Sequence, residues 1–381
     1  MITKMYMADA PESSFLEYFW TWRALQGGVF AAILDPIPKA KVYHTISTGY
    51  AGLVAARAAI ETGRPAVLTE HGIYTNERRI EITMAEWLYD AADSWFQIET
   101  PRWDLRQLWM RAFQAYARIC YGACTEITTL YGGNQILQKA DGAPPERMRI
   151  IPNGIDAALY GALSRDESPR RPTVALIGRV VPIKDIKTYI RAAGALRTKV
   201  PDVLCWVMGP DDEDEDYAAE CRDLVAYLGL EETVVFLGRV KISDYLGKID
   251  CLALTSISEA QPLVILEAGA AGVPTVATDV GACREMIEGP HDESPHLGPG
   301  GAIVPLSSPM AAAEAMGRLL TDRQWWTQCS TGIRERTFQH YNKIRIDKDY
   351  NDLYVRMMAR PDGPPPDLRK TRPAVQARRA G

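Results

Sequence analysis

From about Val42 the chain alternates short apolar runs with stretches whose apolar residues recur at helical spacing. "KVYHTIS" and "RPAVLTEHG" predict strands ending in polar turns, and "GYAGLVAARAAIETG" between them predicts a helix with a glycine stop. That order makes a βαβ unit and hence a parallel sheet. "CTEITTLY" and "RMRIIPNGID" read as further strands with turns, and "YGALSRDESPRRP" as a polar linker between domains. Beyond it the strands "TVALIGRV", "VLCWVMGP", "TVVFLGRV", "CLALTSIS", "PTVATDVG" and "GGAIVP" alternate with helices such as "IKTYIRAAGALRTK" and "PMAAAEAMGRLLTD", with "ISDYLGKI" a short helix. Six strands in this pattern predict a doubly wound sheet. The stretch "TMAEWLYDAADSWFQIETPRWDLRQLWMRAFQAYARIC" is helical and rich in Trp. It reads as core helices, with a groove for an acceptor or a partner as the other reading. The Pro-rich, basic tail from Arg360 reads as disordered, or as a docking tail.

Length changes the picture first. At about 100–200 residues per domain, 381 residues suggest two domains, with three as the other reading. The boundaries fall at 1–155, 165–335, a C-terminal helix at 336–359 that packs back, and the tail at 360–381. A composition 47% hydrophobic and 24% charged is that of a globular protein. The net charge of -5 gives no basic field for nucleic acid. The seven cysteines are scattered without a CxxC, as expected of buried free thiols in a reducing cytosol. With no secretory leader and no apolar run long enough to span a bilayer, the expected location is cytoplasmic.

Candidate chemistry centres on "SEAQPLVILEAGAAGVP", Ser258 to Pro274. Pro262 suits the first turn of a helix, Gly272 its stop, and Pro274 forbids continuation. The small residues Ala268 to Ala271 let this helix pack closely on a sheet. Its N-terminus, at Pro262, Leu263 and Val264, offers free N–H groups and the positive end of the helix dipole, a ready phosphate site (Pro262 has no N–H of its own). Glu259 lies just before that end and Glu267 within the helix. Each carboxylate can accept two hydroxyl hydrogen bonds, so that one can take a sugar and the other a ribose. A capping Glu plus a salt-bridged Glu is the other reading. "GRVVPIKD" puts Arg179 and Lys184 in a loop at the carboxyl end of a strand, where ligands of doubly wound sheets bind. Two cations there can neutralise a diphosphate leaving group without metal; otherwise they are surface cations.

Together these segments resemble the retaining GT-B glycosyltransferases of family four, whose hallmark is a Glu, seven residues and a second Glu before a Gly-x-Pro. "GRVVPIKD", "FLGRV" and "IPNGID" match further family segments. Tyr43 to Ile82 and the Trp-rich stretch after it resemble the narrower PelF-type transferases of Pel exopolysaccharide synthesis. The resemblance implies an α/β GT-B fold with two Rossmann-like domains facing a cleft. It implies that Glu267 holds the ribose of a UDP-sugar and Glu259 the donor sugar, while Arg179 and Lys184 grip the diphosphate. Backbone around Val240 and Lys241 would meet the uracil. His71, in "TEHGIYTNERR", would face the donor sugar; a structural strand-end histidine is the other reading. Arg78 and Arg79 would contact an acceptor or pair with Glu77 and Glu81.

Three departures from the family pattern stand out. Asp185 follows Lys184 where many members carry Gly, and Ala282 follows Gly281. The residues before Val42 carry no strand and Gly-rich loop, so the N-terminal domain is expected to lack its first βα units. The expected function is retaining, metal-independent transfer of a hexose or N-acetylhexosamine from a UDP-sugar to a growing polysaccharide, with no cofactor and with membrane-embedded synthase subunits as partners. A UDP-sugar-binding module without turnover is the alternative, and a nucleotide-sugar epimerase a third option. The "DDEDED" run, Asp211 to Asp216, reads as a solvated loop and helix start.

Overall fold

The computed structural model describes residues 2–9, 13–84, 105–163 and 165–361. The chain divides into two compact units, Met1–Ile151 with Asn351–Gly381, and Pro152–Tyr350.

The first unit runs α1 (Ile2–Asp9), α2 (Phe15–Leu34), β1 (Tyr43–Thr45), α3 (Tyr50–Thr62), β2 (Ala66–Glu70), α4 (Tyr74–Met84), α5 (Leu105–Ala123), β3 (Glu126–Thr129), α6 (Gly132–Ala140) and β4 (Met148–Ile150). Its sheet has the order β1-β2-β3-β4, and all pairs are parallel. Strands β2 and β3 are buried along their whole length, as parallel strands covered on both faces must be. Helix α3 stops where expected. Gly63 takes a left-handed φ of 68°, and its N–H bonds to the Ala59 carbonyl. Part of the Trp-rich stretch, 85–104, lies outside the described residues. The remainder is α5, whose Leu105, Phe113 and Tyr116 join Tyr18 of α2 and Ile82 of α4 in one apolar cluster.

The second unit runs α7 (Ala157–Gly161), β5 (Thr173–Ile177), α8 (Ile186–Arg197), β6 (Leu204–Met208), α9 (Glu215–Tyr227), β7 (Val234–Gly238), β8 (Cys251–Leu254), α10 (Leu263–Ala270), β9 (Thr275–Thr278), α11 (Cys283–Glu288), β10 (Gly301–Val304), α12 (Pro309–Thr321), α13 (Arg323–His340) and the start of α14 (Lys343–Met358), whose residues from Asn351 on belong to the first unit. Strand order is β10-β9-β8-β5-β6-β7, all parallel. The chain builds outward from β5 in one direction, then returns to β8 and builds in the other. Strands β5 and β8 are therefore neighbours at the point where the winding reverses. The core is the apolar sheet with the inner faces of α8, α9 and α12. All seven cysteines are buried free thiols.

Three local expectations need correction. "ISDYLGKI" forms two separate 3-10 turns, Ile242–Asp244 and Leu246–Lys248, divided at Tyr245. The stretch read as a linker between domains lies within the second unit and is anchored there. Asp166 N–H donates to the Gly247 carbonyl at 2.7 Å, and Arg165 and Arg170 reach Asp250 at 2.5 and 2.6 Å. Buried Asp250 needs those cations, and the sequence pattern does not show where it lies. The C-terminal helix is two helices, broken at Tyr341–Asn342, where the backbone bridges to Ile155.

Candidate functional site

The loops leaving the carboxyl ends of β5, β6, β8 and β9 are locked to one another. Thr255 Oγ1 donates to the carbonyls of Lys184 and Asp185, at 3.1 and 3.0 Å, and Ile257 N–H to the Ile183 carbonyl at 2.8 Å. Val180 N–H donates to the Pro210 carbonyl at 2.8 Å, and Ala282 N–H to the Ala260 carbonyl at 2.8 Å. Buried Ala282 begins α11, so a methyl in place of a frequent glycine fits. Gly209 sits so close to the β5 loop that a Cβ would lie 2.0 Å from the Gly178 carbonyl oxygen. Gly209→Ala must therefore push back the loop that carries Arg179. The expected result is a loss of about 1–3 kcal/mol of stability in thermal unfolding, together with weaker nucleotide binding.

These contacts bring Lys184 and Glu259 together. Lys184 Nζ donates to Glu259 Oε1 at 2.5 Å, and the pair is largely shielded from water. Arg179, in the same loop, makes a two-pronged pair with Glu213, at 2.5 and 2.7 Å, and this pair is exposed. Asp185 explains its own departure from the family pattern. It has a left-handed φ of 46°, where Gly is ordinarily preferred, and its carboxylate caps α8 through Thr188 N–H at 3.2 Å. Asp tolerates that backbone better than most residues.

Helix α10 follows the loop, with Pro262 at its N-cap and Ala271 at its C-cap. The N–H groups of Leu263 and Val264 meet no acceptor among the described residues, so they stay open to a ligand. Glu267 lies one turn along and accepts a hydrogen bond from Tyr160 of α7 at 3.1 Å. Burial pushes its carboxyl above the usual value, against the pull of that donor. The crossover "IPNGID" reaches the same loop. Asn153 N–H donates to Gln261 Oε1 at 2.6 Å. Val240 and Lys241 follow β7, and exposed Lys241 faces Asp244 at 3.9 Å. The switch-point loops thus hold two cations, two carboxylates and an open helix start at one end of the sheet.

Tyr160, Gln261 and Glu213 were not singled out by sequence reasoning. Tyr160 fell in the supposed linker, and Glu213 in an acidic run that reads as solvated. At the other end of this sheet a cavity of about 430 Å³ is lined by Arg165, Arg170, Asp250 and Trp326. Asp250 accepts there from both arginines and from Thr173 N–H, while Arg165 Nη1 is buried without a hydrogen-bond partner.

His71 belongs to the first unit, on the turn between β2 and α4, and its ring is exposed. The turn is pinned by its neighbour. Glu70 is fully buried and accepts from Tyr121 at 2.7 Å, Gln138 at 2.9 Å and Thr48 at 3.3 Å. Burial raises the Glu70 carboxyl despite those donors. An acid ending a fully buried strand was the signal for it. Arg78 pairs with Glu81 at 2.5 Å, and Arg79 with Asn76 at 2.5 Å. Among the described residues, no group of three or more His, Cys, Asp and Glu side chains is placed to hold a metal ion, and no helix is long and apolar enough to cross a membrane.

Residues 171–322 match the family described as glycosyl transferases group 1, and residues 1–146 match a domain of unknown function, DUF3492. The D-inositol 3-phosphate glycosyltransferase of Salinispora tropica is 30% identical over 241 residues, covering 57% of this chain and 48% of that protein. The chain thus spans about half the length of the curated relatives it matches. Among solved structures, Anabaena Alr3699/HepE in complex with UDP has a TM-score of 0.64 at 19% identity, covering 88% of this chain and 82% of that one. A glycosyltransferase from Rickettsia africae has a TM-score of 0.65 at 15% identity, covering 88% and 82%. These likenesses show the fold, which is GT-B.

Proposed function

We propose that this protein, whose residues 171–322 carry a group 1 glycosyltransferase domain in a GT-B fold, moves a hexose or N-acetylhexosamine from a UDP-sugar to a growing exopolysaccharide of the Pel kind, with retention. One observation carries the reading. The β5 and β8 loops, adjacent at the switch point, bring Arg179, Lys184 and Glu259 to the same end of the sheet as the open start of α10. That set suits a diphosphate flanked by two hydroxyl-bearing groups. The UDP and UDP-glucose bound to HepE support the choice of donor.

In this mechanism the bond from the sugar's anomeric carbon to the diphosphate oxygen breaks, and its electron pair leaves on the diphosphate. Arg179, Lys184 and the N–H groups of Leu263 and Val264 hold the growing charge. The acceptor hydroxyl attacks the same face of an oxocarbenium-like centre, and its proton leaves with the diphosphate. Glu259 orients sugar hydroxyls, Glu267 the ribose, and backbone at Val240 and Lys241 the uracil.

The cations supply what a divalent ion would otherwise supply, so turnover is metal-independent. Chelation of divalent ions leaves the rate of radiolabelled UDP-sugar turnover unchanged; loss of turnover on chelation sinks the mechanism. Binding of UDP without transfer or hydrolysis of any UDP-sugar favours a binding module within a polysaccharide synthase assembly.

A further inference from the structure

The six acids from Asp211 to Asp216 do not share one role. Asp211 pairs with Arg222 of α9. Asp214 caps α9 by accepting from Tyr217 N–H at 3.0 Å. Glu215 and Asp216 lie in that helix's first turn, where negative charge suits the dipole. Glu213 alone among them reaches across to the β5 loop, and both its oxygens, at 2.5 and 2.7 Å, sit on one nitrogen of Arg179. The β5 and β6 loops are tied by the Val180–Pro210 hydrogen bond and by the close approach of Gly209 to Gly178. The backbone therefore places Glu213 within reach of the Arg179 guanidinium.

We infer that Glu213 is a resident counter-ion for Arg179, which a nucleoside diphosphate must displace, and that it thereby sets the affinity for the donor. The inference rests on the proposed UDP-sugar reading of this site. The carboxylate competes with a phosphate oxygen for that nitrogen and for the charge of the guanidinium. Exposure makes the contact displaceable. The side chains of Arg179 and Glu213 are 53% and 51% accessible, against 18% and 12% for Lys184 and Glu259. Water and salt weaken the first pair much more than the second. Lys184 and Glu259 thus form the fixed half of the site, and Arg179 the half whose charge is released on binding. The acid keeps the guanidinium in place when no nucleotide is bound.

The test is calorimetric titration of UDP into the 381-residue protein and five variants. Glu213→Gln removes the competing charge and tightens UDP about two- to fivefold, the range an exposed ion pair spans. Glu215→Gln, in the same acidic run but without the arginine contact, leaves the affinity as it was. Arg179→Ala weakens UDP, and adding Glu213→Gln to it brings no recovery, because the partner is gone. The inference is overturned if Glu213→Gln binds UDP no better than wild type while Arg179→Ala still weakens it; the nucleotide reading then stands. It is equally overturned if Glu215→Gln tightens UDP as much as Glu213→Gln, since the general field of the run would then be the cause. If neither Arg179→Ala nor Glu267→Ala alters UDP binding, the site reading itself fails.

Discussion

Replacing Glu267 by alanine weakens UDP binding by about 1.5–3 kcal/mol, roughly ten- to 150-fold, the cost of losing hydrogen bonds to a charged group. The argument starts from α10. Its first-turn N–H groups are open, and Glu267 lies one turn further on, half-buried and aimed at Tyr160. A carboxylate held there accepts a pair of ribose hydroxyls without having to be ordered first. Burial has already pushed its pKa up. Alanine removes both acceptor oxygens and leaves the Tyr160 hydroxyl without its partner. Glu267→Gln keeps the shape and one acceptor oxygen, so its loss is smaller. Thermal unfolding of the alanine variant separates lost binding from lost folding. Unchanged UDP affinity in a folded Glu267→Ala protein removes Glu267 from the nucleotide site.

The largest effect on stability is expected at Arg336. Its side chain is fully buried and paired with Glu293, whose side chain is 1% accessible. The guanidinium makes a two-pronged contact, at 2.7 and 2.9 Å, and also donates to the carbonyls of Ile287 at 2.9 Å and Gly298 at 2.6 Å. It thereby fastens the 289–300 loop to α13 and to the end of α11. Arg336→Met fills part of the space but leaves the Glu293 carboxylate buried without its cation. The expected loss is about 3–5 kcal/mol in denaturant unfolding.

The pH dependence gives this result a signature. Burial alone would raise the Glu293 carboxyl, but Arg336 and the Leu297 N–H outweigh it and hold it below the ordinary value of 4.5. A depressed carboxyl contributes stability that is present above the unfolded-state pKa and lost as pH falls through the folded-state value. Without Arg336 the depression is gone and the carboxyl protonates readily. The deficit of Arg336→Met is therefore largest near neutral pH and shrinks in acid. A deficit that stays constant from neutral pH to acid points to lost packing in place of the ion pair.

Much of the second unit was legible in the sequence. Its strands are continuous apolar runs because both faces are covered, and its helices keep the 3.6 spacing, so six strands and their order along the chain could be read directly. Helix α10 was bounded closely by Pro262 and Gly272, since both residues act on the backbone locally. The first unit was harder. Residues 15–34 form a helix that is apolar nearly all round, which hides its spacing. Helix α4 is mostly polar, with a charged run at its start, and it follows a strand ending in a glycine turn. Neither has the stripe by which a helix is recognised.

The site divides along the same physical line. The chain alone determined which groups carry charge and which turn each occupies: Arg179 and Lys184 after β5, Glu259 and Glu267 on either side of the α10 start. Only the tertiary structure decided their partners. Lys184 meets Glu259 because β8 returns to lie beside β5 after two intervening strands, and Arg179 meets Glu213 because Gly209 lets the β6 loop close on Gly178. Glu267 meets a tyrosine from a segment that reads as linker. Backbone preferences and apolar periodicity act over a few residues and are written in order along the chain. Pairing between charges depends on which strand ends the sheet order brings together, and that order is a property of the packed core.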